Sequence, residues 1–430
     1  MTNRITLDMT RRGFLGTALG GAAALAAGPS WAAAKTLNIL SHKVHETVLG
    51  TGTDNDLMKD WKAKNDANLV FTTFDSNPLQ DRLFREASLP STDYGVGYII
   101  DNRPTADIAK LFAPLDDFLA SAPIENYDDI APGLREAMTV GGKTIGIPVR
   151  HATGGLFYNE QLLEEAGISA PPATLEELIE QAKKLTFTSK DGTPVTGMIM
   201  ASDLAVFPVS FARAYGGDYI TKDFKLLPKP EAMEKALATM ADLFKAGALP
   251  RSYATTKNDD QVTWMQQGRA AFTMITFARF KQFNDPAQSK FPGRIKAVQF
   301  PKSSSYDGEM AAVTESWGMT IPANFADKDL AWSYIREVSS PRVTLGMARN
   351  GNGPVRVSTY ADADFAAASP VAAAEAKALA TARGAFPPFP EAARAQQLFL
   401  EDVQLAVLGR KTPAEAVESM VTRITPLLPS

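Results

Sequence analysis

The feature that most constrains the fold is a regular alternation of short apolar stretches with amphipathic segments, which begins at Lys35. Three pairs of a predicted strand and a predicted helix follow one another: 36–40 and 54–65, 69–74 and 79–87, 94–100 and 105–112. This alternation is typical of a mostly parallel sheet covered by helices. Because 430 residues exceed what a single hydrophobic core usually supports, we expect two domains.

A second informative stretch, Gly141–Asn159, predicts two strands joined by a polar passage. Residues 143–148 and 156–158 are short apolar runs, and Arg150 and His151 lie between them. A strand that leaves one domain and enters another through charged and imidazole side chains indicates two lobes with a cleft at the connection.

The order of several motifs resembles one family, the extracellular solute-binding proteins of ABC importers of the maltose-binding type. The residues that carry the resemblance are Gly142-Lys143 with Pro148, Tyr158-Asn159, Gly167, Pro171-Pro172, Thr174–Leu178, Gly268–Ala271, Glu315–Pro322 and Asn352–Arg356. The resemblance implies an α/β, two-lobe periplasmic binding protein of type II. Each lobe would be a mostly parallel sheet flanked by helices, and a hinge would join the lobes.

The same resemblance implies lobe boundaries along the mature chain. We expect the first lobe to contain residues 35–149 and 300–340, and the second lobe to contain 150–299 and 341–430. A strand over Ile295–Phe300 is expected to return the chain to the first lobe.

The N-terminal 34 residues predict a cleaved export signal. Arg11-Arg12 precede a run rich in glycine, alanine and leucine that ends in Ala32-Ala33-Ala34, as in a twin-arginine signal peptide. The run is too short and too dilute in large apolar residues to span a bilayer. Cleavage removes three basic residues and one acidic residue, so the formal net charge changes from −4 to −6. An acidic mature chain argues against a nucleic-acid partner.

The chain contains no cysteine. Disulfides, thiolate metal sites, a cysteine nucleophile and a lipidated cysteine anchor are therefore excluded. We expect a soluble, monomeric periplasmic protein whose partners are the twin-arginine export machinery, the permease subunits of an ABC importer and a small ligand.

Catalytic motifs are absent from the sequence. His45-Glu46 is not followed by the second histidine of a zinc-protease helix, and no G-x-S-x-G or phosphate-binding loop occurs. We therefore expect no enzyme activity, no cofactor and no metal. Two minor alternatives stay open, a metal-binding receptor built on His42 and His45 and a periplasmic carbohydrate-active enzyme that uses paired carboxylates.

The candidate ligand-binding residues come from loops that the pattern and the resemblance assign to the cleft. Open α/β sheets bind ligands beyond the carboxyl ends of their strands. The candidates are His42, Lys43, His45, Asp75, Asp101, Asn102, Arg150, His151, Thr276, Phe277, Arg279, Glu315, Trp317 and Arg356. We expect Trp317 to stack on a sugar ring and the carboxylates to accept hydrogen bonds from hydroxyls. A neutral sugar, oligosaccharide or polyol is the main prediction, and an anionic sugar derivative (acid, phosphate or sulfonate) is the alternative, because several basic side chains lie in these loops.

Overall fold

A computed structural model describes residues 34–429, so residues 1–33 of the predicted signal peptide lie outside the described residues. The strands within this range are β1 (Lys35–Ser41), β2 (Ala67–Thr73), β3 (Tyr94–Ile100), β4 (Thr139–Val140), β5 (Lys143–Thr144), β6 (Ile147–His151), β7 (Gly154–Asn159), β8 (Phe187–Thr188), β9 (Pro194–Ile199), β10 (Ala270–Thr276), β11 (Ile295–Val298) and β12 (Ser316–Thr320).

The helices in the first part of the described range are α1 (Lys43–Val48), α2 (Lys59–Asn65), α3 (Ser76–Ala87), α4 (Ala106–Ala109), α5 (Asp116–Ser121), α6 (Pro132–Ala137), α7 (Glu160–Glu165), α8 (Leu175–Lys184) and α9 (Val206–Ala214). Those that follow are α10 (Pro230–Lys245), α11 (Asn258–Gln266), α12 (Phe280–Phe283), α13 (Lys328–Val338), α14 (Pro341–Arg349), α15 (Ala363–Ala368), α16 (Ala372–Leu379), α17 (Ala392–Val407) and α18 (Pro413–Ile424).

Helix starts follow the local sequence signals closely. Residues Thr412 and Glu415 predict a capping box, which is confirmed: the Thr412 side chain caps α18 and Glu415 returns a hydrogen bond to the cap. Thr174 and Glu177 predict a second box, of which half is present, because Thr174 accepts from the Glu177 N–H but the Glu177 carboxylate accepts from the Ala173 N–H instead of the Thr174 N–H. Each cap satisfies backbone donors that a helix leaves unpaired in its first turn.

Two five-stranded sheets organise the chain, in the strand orders β2-β1-β3-β12-β6 and β11-β7-β10-β9-β8. The two-sheet α/β architecture confirms the predicted fold class. The expectation of mostly parallel sheets is wrong in detail, since only β1–β2, β1–β3 and β9–β10 pair in parallel. Strands β12 and β7 follow the connections between the sheets, and each runs antiparallel to both of its neighbours.

The strand at Ile295–Val298 corrects another expectation. It pairs antiparallel with β7 in the second sheet and does not return the chain to the first one. The return is made by β12, which lies between β3 and β6. The sequence predicted the strand at 295–300, but its pairing partner depends on contacts that are distant in sequence.

Apolar side chains of the two sheets form two large buried clusters. Leu37, Ile39 and Val96 of the first sheet belong to one cluster, which also includes Phe157 and Ile199 from one face of the second sheet. The other face of the second sheet packs on α8, α9, α10, α17 and α18 through buried residues such as Met198, Phe272 and Phe399. No helix within residues 34–429 combines the length and the apolarity that crossing a membrane requires.

Three connecting segments lie side by side where the two sheets meet. The Ala152 N–H donates to the Glu315 carbonyl at 2.9 Å, and the Gly154 N–H donates to the Val313 carbonyl at 3.1 Å. The Thr314 N–H donates to the Arg383 carbonyl at 3.1 Å. These hydrogen bonds hold the connections together and leave polar loops around them.

Candidate functional site

A cavity of about 320 Å³ opens beside these connections. On the first sheet, the parallel strands β1, β2 and β3 end at one edge, where β6 also ends and the antiparallel β12 begins. On the second sheet, Thr276 at the end of β10 pairs with Gly154 at the start of β7. The wall is formed by residues 101–102, 152, 154, 204–206, 258, 274–276, 279, 313–315, 384–386 and 396.

Five of the predicted ligand-binding residues line this cavity: Asp101, Asn102, Thr276, Arg279 and Glu315. Asp101 and Asn102 directly follow β3, and Glu315 directly precedes β12, which pairs with β3. Their closeness results from strand pairing, because residues 101 and 315 are far apart in sequence.

The two carboxyl groups on the wall influence each other. Burial raises the pKa of Asp101 well above its usual range, and the neighbouring Glu315 charge adds to that shift. Water reaches Glu315 in the cleft, yet the surrounding protein still desolvates it and raises its pKa, against the lowering influence of Trp317, Arg150 and Arg103. Both groups can accept hydrogen bonds, and in its protonated form Asp101 can also donate one.

Trp317 does not lie on the cavity wall, and its side chain supports Glu315 from behind. It is only 6% exposed, and its indole N–H donates to Glu315 Oε1 at 3.2 Å. The edge of its ring meets His45, with the ring centroids 5.0 Å apart. The predicted stacking on a sugar ring therefore stays a prediction, and the hydrogen bond of this indole goes to Glu315.

We expect Trp317→Phe to weaken ligand binding by about tenfold, because phenylalanine keeps most of the packing but cannot hold Glu315 through an N–H. Isothermal calorimetry with a ligand that binds the unaltered protein would measure this change. Trp264→Phe is the matched control, because Trp264, on α11, lies off the cavity wall. Its ring packs against the Arg269 guanidinium, which lies 4.0 Å from the ring centroid. Equal affinity for the Trp317→Phe protein and the unaltered protein would contradict this role.

His42 and His45 lie on the first-sheet side of Trp317. His42 caps α1 by accepting from the Val44 N–H at 3.2 Å. His45 is fully buried, stacks on Tyr98 with ring centroids 4.4 Å apart, and has a hydrogen-bonding contact with Ser41 Oγ at 3.2 Å through Nδ1. Burial, followed by the charge of Arg150, lowers the pKa of both imidazoles. Both are therefore neutral at pH 7 and neither lines the cavity.

Lys43 and Asp75 are exposed and lie outside the cavity wall. Lys43 pairs with Glu46 one helical turn away, with Nζ 2.6 Å from Oε2. Asp75 occupies the cap position of α3, where its charge partly offsets the lowering of the His42 pKa. The exposed ion pair of Lys43 with Glu46 contributes little to stability or binding.

Arg150 is half-buried at the end of β6, and no ion pair or hydrogen bond of its side chain is found within residues 34–429. Burial lowers the pKa of this guanidinium, the Glu315 carboxylate opposes that shift, and Arg279 adds to it. Arg150 is thus an available donor near the cavity.

His151 is buried at the crossover between β6 and β7. Its Nδ1 accepts from the Thr153 N–H at 3.2 Å, so the neutral ring carries its proton on Nε2, which lies 2.9 Å from the Tyr360 hydroxyl. The Glu375 carboxyl is 3.8 Å from the same Nε2. Burial lowers the pKa of His151 to about 3 and raises the pKa of Glu375 to about 8, so both are uncharged at pH 7. The predicted ligand contact by His151 finds no support in this geometry.

Phe277 and Arg356 are also buried away from the cavity. The Phe277 ring packs against Phe157 with centroids 6.1 Å apart, and a side chain at Gly155 would collide with it. All five N–H groups of Arg356 donate to protein acceptors. Two donate to the Ser339 carbonyl, and one each to the carbonyls of Asn126 and Glu125 and to the Asp129 carboxylate. No donor of Arg356 is left for a ligand, so we leave it and Phe277 out of the proposed site.

The apolar wall of the cavity was missed from the sequence. It consists of Leu204, Val206, Met274 and Phe386, and the amides of Asn258 and Gln396 also line the cavity. Phe386 follows Gly384 in a proline-rich stretch between two helices, and an aromatic residue in such a stretch is the one signal that could have indicated it. Within residues 34–429, no group of three or more His, Asp or Glu side chains is arranged to hold a metal ion.

A family model described as bacterial extracellular solute-binding protein matches residues 47–344, which is more than half of the chain. The chain belongs to this family. Among curated relatives, a probable amino-acid ABC transporter periplasmic-binding protein of Sinorhizobium fredii is 22% identical over 66% of this chain and 64% of its own length. The chain thus covers less than two thirds of that relative, and 62% of another from Deinococcus radiodurans.

Solved structures of sugar-binding and polyol-binding proteins share the fold of this solute-binding protein. Maltose-bound MalE3 of T. maritima superposes with a TM-score of 0.75 at 21% identity, covering 92% of this chain and 100% of that one. A solute-binding protein of Agrobacterium radiobacter in complex with ribitol gives a TM-score of 0.73 at 22% identity, covering 90% and 98%. At such identities the likeness shows the fold and confirms the two-lobe periplasmic binding architecture.

Proposed function

We propose that this protein is the periplasmic substrate-binding component of an ABC importer and that it captures a neutral sugar or polyol in the 320 Å³ cavity. The observation that carries this proposal is the mixed lining of the cavity. Asp101, Asn102 and Glu315 offer hydrogen-bond acceptors, and the apolar wall residues, Phe386 among them, offer apolar surface. A sugar has hydroxyls for the first group and a C–H face for the second.

Solutes bound by related proteins support the same ligand class. A relative from Pseudomonas aeruginosa is a mannitol-binding protein, 23% identical over 56% of this chain. A structural neighbour from Agrobacterium vitis holds D-mannitol, at 21% identity and a TM-score of 0.68. We propose a binding role without chemistry, in which the importer hydrolyses ATP and the protein delivers the solute to the permease.

The proposed mechanism is closure of two lobes about the connecting segments. We propose residues 35–149 and, from the returning strand β12, 316–340 for the first lobe and the remainder for the second, because Phe300 and Met310 pack in the second cluster. Helix α14 is better grouped with the first lobe, because it packs on α1 and α13. We also propose export by the twin-arginine pathway, with cleavage after Ala34, and a monomer in the periplasm.

An anionic sugar derivative is the second candidate, and the unpaired guanidinium of Arg150 is the observation that favours it. Two carboxyl groups on the wall count against it, because like charges would have to be desolvated together.

Thermal unfolding of the mature protein tests the proposal. The panel would contain ribitol, D-mannitol, D-tagatose, maltose, sugar acids, sugar phosphates and, because one relative is named for amino-acid transport, several amino acids. A ligand present at roughly 100 times its Kd contributes about 2.7 kcal/mol to the folded state, which raises the melting temperature by several degrees. A rise with neutral polyols or sugars supports the main proposal, and a rise with acids alone supports the second. A rise with amino acids alone contradicts both ligand classes. So does a melting temperature that no member of the panel raises.

A further inference from the structure

Arg213 is a buried arginine on α9 that lies behind the cavity wall. The residue is 3% exposed, and its Nε donates to Asp218 Oδ1 at 3.0 Å. Its two remaining nitrogens donate to the carbonyls of three other residues, Ala312 at 3.4 Å, Arg383 at 3.2 Å and Gly384 at 2.6 Å. A planar guanidinium suits this task because its donors have fixed directions.

The three carbonyls belong to two of the segments that form the cavity. Ala312 directly precedes the wall residues Val313, Thr314 and Glu315, and Gly384 directly precedes Ala385 and Phe386. The segments are also joined by backbone hydrogen bonds, from the Arg383 N–H to the Ala312 carbonyl at 3.0 Å and from the Thr314 N–H to the Arg383 carbonyl. A third wall segment, residues 204–206, leads into the helix that carries Arg213.

Asp218 fixes the guanidinium from the other side. Its Oδ2 accepts from Arg383 Nη2 at 2.6 Å and its Oδ1 accepts from the Tyr219 N–H at 2.9 Å. The Tyr219 ring meets the Phe386 ring edge to face, with centroids 5.9 Å apart. The buried pair of Arg213 and Asp218 therefore positions both the backbone of segment 383–386 and Tyr219, the ring that packs against Phe386.

We infer that Arg213 is the positioning residue of the apolar wall and that it sets ligand affinity through Phe386 without touching the ligand. The inference rests on the proposed function for its ligand class, which is a solute with an apolar face that can lie on Phe386. Binding walls lose affinity when the residues that support them can shift by even a fraction of an ångström. Arg213 thus acts on binding in addition to its part in the packing.

Arg213→Lys and Arg356→Lys form a matched pair of variants. Both arginines are buried and bound to backbone carbonyls and a carboxylate, but Arg356 lies away from the cavity. We expect the Arg213→Lys protein to bind its ligand with a Kd about tenfold higher than that of the unaltered protein. Calorimetry with ribitol, D-mannitol, D-tagatose and maltose would measure it, at a temperature well below the melting temperatures of both proteins. The Kd for Arg356→Lys should change by less than about twofold. Equal changes in Kd for the two variants would overturn the inference.

A double-mutant cycle tests the route through Phe386. Phe386→Ala should weaken binding by itself, and Arg213→Lys should add nothing further in the Phe386→Ala background, because the wall it positions is gone. Additive losses would overturn the inference. Arg383→Ala, at a half-exposed residue that donates to Asp218, is the milder variant should Arg213→Lys fold poorly, and it should weaken binding in the same direction.

Amide hydrogen exchange tests the inference without a ligand. Arg213→Lys should accelerate exchange in a peptide covering residues 383–400 more than Arg356→Lys does, and equal exchange in that peptide would overturn the inference. Failure of every solute to bind the unaltered protein would contradict the proposed function alone, because the exchange result does not depend on a ligand.

Discussion

Glu315→Ala is expected to weaken the binding of a neutral sugar or polyol by roughly 100-fold. A carboxylate acceptor contributes about 1.5–3 kcal/mol per hydrogen bond, and its loss leaves ligand hydroxyls unpaired in the cavity. The substitution also removes the charge that faces Arg150 and the acceptor of the Trp317 N–H. Titration calorimetry with the tightest ligand of the panel would measure the loss.

Glu309→Ala is the control for this experiment, because Glu309 is exposed and lies off the cavity wall. Its affinity should match that of the unaltered protein. The same variants distinguish the two ligand classes, because an anionic ligand would bind the Glu315→Ala protein more tightly once the competing carboxylate is gone. Unchanged affinity for every ligand in the Glu315→Ala protein would contradict the placement of the site.

Glu375→Gln is expected to stabilise the protein at alkaline pH by up to about 5 kcal/mol. Burial raises the pKa of Glu375 to about 8, far above the value near 4.5 of an exposed glutamate. Between these two values the folded state keeps a proton that the unfolded state loses, so stability falls as pH rises. Each pH unit in that window lowers the free energy of unfolding by about 1.4 kcal/mol, and glutamine removes this dependence.

Chemical unfolding at pH 6.5, 7.5 and 8.5 would measure the effect. The His151 imidazole beside Glu375 has its pKa lowered to about 3, so its contribution to stability begins to fall as pH approaches 6.5 from above. This contribution is present in both proteins and cancels when the two are compared. The hydroxyl of Tyr360, which contacts the same imidazole, has its pKa raised by burial and stays protonated there. Glu180→Gln, at an exposed position on α8, should leave the change of unfolding free energy with pH as it is in the unaltered protein. If Glu375→Gln also leaves that change with pH as it is, the Glu375 carboxyl is already ionised at pH 7.

Local sequence signals account for much of the fold. Thr412 and Glu415 predicted a capping box because the hydrogen bonds involved join residues three apart. The polar residues that follow β1, β2 and β3 were predicted to share one edge, since parallel strands end on the same side of a sheet. Asp101 and Asn102 on the cavity wall follow from that rule.

The predicted residues that lie away from the cavity share a physical cause. Arg356 and His151 have the residue types of a ligand site, but their hydrogen-bond partners, among them the Asn126 carbonyl and Tyr360, lie more than 200 residues away in sequence. Phe277 and Trp317 are aromatic residues beside loops, yet both are buried. Burial depends on which distant segments pack against a side chain, and residue type does not report it.

The sequence by itself determined the elements, the family and one wall of the cavity, because periodicity, capping and strand-end loops are set by neighbours along the chain. Only the tertiary structure decided the mixed direction of the sheets, the apolar wall with Phe386 and the place of Arg213 behind it. The apolar wall and the place of Arg213 depend on the hydrogen bonds between segments 312–314 and 383. Such contacts are selected by packing and hydrogen-bond satisfaction over the whole molecule, so no local pattern can report them.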